Sequence, residues 1–61
     1  MQGVTPLHSA AHNGQIKLAQ LLIENGADIN AKMENGQTPL FMAEEKGFTE
    51  IAALIKKSGG Q

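Results

Sequence analysis

Gly3-Val4-Thr5-Pro6-Leu7 returns as Gly36-Gln37-Thr38-Pro39-Leu40, 33 residues further along the chain. A fixed period of that length marks a repeated supersecondary unit. The rest of the sequence keeps the same offset: Ala10 pairs with Ala43, Gly14 with Gly47, Ala19 with Ala52, Leu21 with Leu54 and Gly26 with Gly59. Leu18/Ile51 and Leu22/Ile55 are conservative pairs at that spacing. The matches fall on glycines, on the Thr-Pro pair and on apolar positions, which together set backbone shape and burial. Two copies of one folding unit are expected.

Within the first copy, Thr5 suits an N-cap because its hydroxyl can accept from a free backbone N–H, and Pro6 suits the first helical position, where it has no donor to lose. Leu7, Ala10 and Ala11 then lie at helical spacing, predicting a short helix to about Asn13 with Gly14 as its stop. Ile16, Leu18, Ala19, Leu21, Leu22 and Ile23 form an apolar face too broad for a lone amphipathic helix. This second helix is expected to be mostly core, running to about Glu24 before Asn25-Gly26, two residues that tolerate positive φ. Residues 28–37 read as an extended loop turning at Glu34-Asn35-Gly36.

The pattern then restarts. Thr38 caps, Pro39 opens and Leu40 with Ala43 forms the stripe of a third helix closing at Lys46-Gly47. Thr49 is the expected N-cap of a fourth, with Glu50 at the positive end of its dipole and Lys56 and Lys57 at the negative end. Ile51, Ala52, Leu54 and Ile55 are its buried positions, and residues 58–61 read as a frayed tail. Lys56 stands where the first copy has Ile23. Exchanging an apolar residue for lysine suits an outer face exposed to water, as in the terminal unit of a stack.

Composition narrows the function. With 61 residues the chain can form one small domain, and such domains usually lean on disulfides, metals or a partner. There is no cysteine, so no disulfide or thiolate metal site, and nothing points to an oxidising compartment. No apolar run approaches the ~20 residues of a membrane span, and no signal-like segment opens the chain. An intracellular, cytoplasmic setting is expected. The net charge is −1, with five lysines scattered among acids and no arginine, so no stripe would neutralise phosphates. Neither nucleic acid nor membrane is an expected partner.

The motif Gly-x-Thr-Pro-Leu-His-x-Ala-Ala over Gly3–Ala11, then Gly14, the apolar run to Leu22, and Gly26-Ala27-Asp28-Ile29-Asn30-Ala31, closely resembles the ankyrin repeat. The resemblance covers nearly the whole chain as two consecutive units. It implies an all-α solenoid fragment: two helix-loop-helix units joined by a β-hairpin-like finger. Residues 1–28 would be a first repeat, truncated or uncapped at its N-terminus, and residues 29–61 the finger plus a cap-like second repeat. The implied function is to bind other proteins, without catalysis or cofactor.

The second unit departs from the family pattern where Phe41 replaces the histidine represented by His8, Glu44 the alanine represented by Ala11, and Met33 a usual finger aspartate. By alignment to the family, partner contacts are implied at Val4, His12 and Asn13 in the first unit. In the second they are implied at Met33, Glu34, Asn35, Gln37, Glu45 and Lys46, with Met33 favoured as an exposed, adaptable thioether. Because about three units are usually needed for stability, an apolar side formed by some of Leu7, Leu18 and Leu22 is expected to lie uncovered. Two readings follow. The chain is a binding module within a longer array, or copies of it stack through that N-terminal face to complete the core.

Chemistry finds little support. His8 and His12 have the i, i+4 spacing of a metal pair, but a site needs a third ligand. Ser9 beside them has no orienting acid or oxyanion loop. Glu44-Glu45 are adjacent on a helix and point apart, reading as a solvated face. Asn30 reads as a residue that shapes the finger.

Overall fold

The computed structural model describes residues 3–60; Met1, Gln2 and Gln61 lie outside the described residues. Four helices follow in order: α1 (Pro6–Asn13), α2 (Ile16–Glu24), α3 (Pro39–Lys46) and α4 (Thr49–Lys57). No strand occurs among the described residues. α1 packs on α2 and α3 on α4, giving two helix pairs, and the pairs stack through α1 against α3 with a lighter contact of α2 with α4.

The Thr-Pro starts form as expected. Thr5 Oγ1 accepts from the His8 backbone N–H, and Thr38 Oγ1 from that of Phe41 at 3.2 Å. Gly14 and Gly47 end α1 and α3 in the left-handed region, at φ +71° and +78°, where a side chain would be strained. Leu7, Ala10, Ala11, Ala19, Leu40, Ala43, Ile51, Ala52 and Ile55 are the buried apolar residues. Five of these nine are alanines, whose small size lets helices approach closely.

Three expectations need correction. α2 is not mostly core: among its residues only Ala19 is buried, Leu18 and Leu21 are 38% and 55% exposed, and Ile16, Leu22 and Ile23 are half-buried. Its outer side has no helix pair packed against it among the described residues. Leu7, by contrast, is buried and takes no part in the uncovered side. Second, Thr49 is the first helical residue of α4, and Phe48 holds the cap position without a side-chain cap bond. The link from α3 is only Gly47-Phe48, too short to leave Thr49 outside the helix.

The end of α2 at Asn25-Gly26 is as expected, with Gly26 taking positive φ, at +87°. Third, residues 58–60 are not frayed. The Gly60 N–H donates to the Ile55 carbonyl at 2.7 Å and the Gly59 N–H to that of Lys56 at 3.1 Å. Asn30 Nδ2 reaches the Gly59 carbonyl at 3.4 Å, which ties the inter-pair loop to this C-terminal turn.

Candidate binding surface

The loop between the pairs is built from its own short side chains. Asp28 Oδ1 accepts from the Asn30 N–H at 3.1 Å and Asn35 Oδ1 from the Gln37 N–H at 3.0 Å, turns that asparagine and aspartate favour. The tip closes when the Gly36 N–H donates to the Met33 carbonyl at 2.8 Å and the Met33 N–H to that of Gln37 at 2.9 Å. Gly36 sits at φ +84°, which this closure needs.

His8 locks that loop to the first pair. It is fully buried, and its Nδ1 accepts the Thr5 backbone N–H at 3.2 Å, completing a capping box. Nδ1 is therefore unprotonated and Nε2 carries the proton, which it donates to the Gln37 carbonyl at 2.9 Å. With both ring nitrogens engaged inside the fold, His8 has no lone pair to offer a metal shared with His12. No group of three or more His, Cys, Asp or Glu side chains that could hold a metal occurs among the described residues.

On the side where α1 and α3 meet the loop, Val4, His12, Asn13 and Met33 converge on one open pocket of about 240 Å³, together with His8, Ser9 and Met42. Its wall is mostly apolar, with imidazole, amide and hydroxyl groups at the edge, the composition of a surface that takes an apolar side chain and orients what surrounds it. Val4 and Met33 continue into a second hollow with Glu34 and Asn35. Gln37 lies elsewhere: it lines a pocket with Leu40, Phe41 and Glu44 at the far end of the stack, and its carbonyl is already spent on His8. Glu45 and Lys46 are exposed at the end of α3 and line neither hollow.

Met33 is half-buried rather than the exposed thioether expected, and it shares both hollows with Val4. Met42 was not among the expected contacts. The signal was present, since Met42 is an apolar residue off the buried Leu40–Ala43 stripe, at the place where the first copy has Ser9.

The chain belongs to the ankyrin repeat family. A family model described as ankyrin repeats (3 copies) matches residues 1–61. Related proteins include the nuclear factor NF-kappa-B p105 subunit of Gallus gallus, 41% identical over 93% of this chain and 6% of its own length. Ankyrin repeat-containing protein P1E11.10 of Schizosaccharomyces pombe is 44% identical over 70% of the chain and 21% of its own. The potassium channel AKT1 of Oryza sativa subsp. indica is 43% identical over 88% and 6%. The chain thus spans a small part of the relatives it matches. Ankyrin repeats are generally protein–protein interaction modules. No helix among the described residues is long and apolar enough to cross a membrane.

Proposed function

We propose that the chain binds a protein partner through the surface where α1, α3 and the loop meet, without catalysing a reaction, and works in an intracellular setting. The observation that carries this reading is the single pocket joining Val4, His12 and Asn13 of the first pair to Met33 of the loop and Met42 of α3. Its occupant is an apolar side chain of the partner, seated between the two thioethers, which adapt to irregular shapes. His12, Asn13, Glu34 and Asn35 then hydrogen-bond the flanking backbone, and Glu45 and Lys46 form an outlying charged rim. The absence of cysteine suits a reducing compartment.

A displayed peptide library selected on the full chain tests this. Ligands should carry an apolar anchor, and Met33→Lys or Met42→Glu should weaken them at least tenfold with the helical signal unchanged. Selected ligands indifferent to both changes would sink the reading.

A further inference from the structure

Two thioethers and an imidazole line the pocket where the helix pairs meet the loop: Met33 from the loop, Met42 from α3 and His12 from α1. The chain has three methionines, and two of them come together here. One carbonyl sets the register of the elements that carry these donors. That of Gln37 receives the His8 Nε2 proton at 2.9 Å, one helical turn before His12, and also the Met33 N–H at 2.9 Å. Met42 follows on α3, its N–H donating to the Thr38 carbonyl at 3.1 Å. His12 is exposed, and its ring enters no hydrogen bond or ion pair among the described residues. Unlike His8, it has a nitrogen lone pair to give. One period away His12 becomes Glu45 and Met42 becomes Ser9, so the repeat does not reproduce the set. It is made once, at the junction.

We propose that Met33, Met42 and His12 bind a soft monovalent metal ion, Cu(I), through two thioether sulfurs and one imidazole nitrogen. Thioether sulfur is a neutral, polarisable donor that selects Cu(I) over harder ions. Zn(II) would need thiolate, carboxylate or further imidazole ligands, and apart from the two histidines the pocket's polar side chains are only Ser9 and Asn13. A mostly apolar wall also disfavours a divalent ion more than a monovalent one, because less charge is taken from water. Glu34 lies in the adjoining hollow with Met33, where its carboxylate offsets the charge of the ion. Methionine has three rotatable bonds, so both sulfurs can turn onto the ion while the backbone stays in place. The site shares its pocket with the apolar anchor of the partner reading but does not rest on that reading.

The test titrates Ag(I), the redox-stable analogue of Cu(I), into the full chain with isotope-labelled methionine methyls and follows them by NMR. The Met33 and Met42 methyls should shift together and saturate at one ion per chain, along with the His12 ring protons, while Met1 stays in place and Zn(II) moves none of the three methyls. Met1 shifting in step with the other two, Zn(II) producing the same shifts, or no shift at Met33 and Met42 would each overturn the proposal.

Met33→Leu and Met42→Leu keep volume and apolarity but remove the sulfur. Since even the loss of an outer-shell partner weakens metal binding at least tenfold, each should weaken Ag(I) by about tenfold or more, as should His12→Asn, with the helical signal unchanged. Undiminished Ag(I) binding by these variants would equally overturn the site. The leucine variants still offer an apolar pocket to the peptide ligands described above, so the ion site and the partner reading fail separately.

Discussion

Leu18 and Ile51 occupy the same place in the two helix pairs, yet Leu18 is 38% exposed and Ile51 only 2%. His8 and Phe41 differ in the opposite sense: the histidine is fully buried and the phenylalanine 44% exposed. The helices themselves match in length and capping position, so the difference comes from the neighbour. The first pair is covered on its C-terminal side and open on its N-terminal side, and the second pair the reverse. In a stacked array, burial belongs to the interface between units rather than to the unit.

Large-to-small changes at equivalent places sharpen this most. Ile51→Ala removes a fully packed side chain, and the expected loss is about 2–4 kcal/mol, enough to unfold much of so small a domain. Leu18→Ala, at a site already open to water, should remove about 1 kcal/mol or less. Urea denaturation followed by helical circular dichroism reads both. Equal losses would mean that the two pairs are not distinguished by their neighbours.

The next contrast is polar. His8→Phe removes the N–H donor to the Gln37 carbonyl and the acceptor for the Thr5 N–H, which should cost about 1–3 kcal/mol because the Thr5 N–H loses its acceptor and the Gln37 carbonyl keeps only its bond from Met33. The mirror change, Phe41→His, adds a side chain able to complete a capping box with Thr38 and should shift stability by no more than about 0.5 kcal/mol. Comparable effects would refute the view that His8 acts through the junction.

The sequence showed the period, the Thr-Pro caps and the glycine stops because these are local chemistry, written in residues that fix their own backbone. The extent of α2's burial was not legible there. Its broad apolar face states what the helix is suited to contact, and only the packing shows that its outer side meets no helix pair. The start of α4 was misread because Thr49 has the chemistry of a cap but the two-residue link fixes its position. On the candidate surface, Val4, His12, Asn13 and Met33 line one pocket. The backbone carbonyl of Gln37 accepts from His8, 29 residues away. Long-range bonds of that kind leave no trace in local pattern.

Glycine supplies a finer contrast. Gly14 and Gly47 hold the same left-handed conformation, so alanine at either should cost about 1–2 kcal/mol in backbone strain. A Cβ at Gly14 would additionally meet the Phe48 ring, with Cε1 and Cζ both at 3.0 Å, whereas one at Gly47 would meet nothing within 4 Å. Gly14→Ala should therefore be worse by about 1 kcal/mol, and Phe48→Ala should erase that difference when the two changes are made in its background. A difference that persists without the ring would place its cause elsewhere.

The smallest effect concerns the ion pair on the C-terminal face. Glu44 and Lys56 lie 3.3 Å apart with side chains 50% and 61% exposed, so water screens their attraction and holding both in one geometry costs side-chain entropy. Glu44→Ala should change stability by less than about 0.5 kcal/mol, even though its counterpart Ala11 is fully buried at the junction. The reverse exchange, Ala11→Glu, would force a carboxylate between the pairs, where burial without a partner is strongly unfavourable, and it should abolish the cooperative melt. One residue type at one repeat position is thus nearly neutral where the stack ends and intolerable where it continues. A measurable destabilisation by Glu44→Ala would mean that the ion pair holds α3 to α4 instead of closing the face.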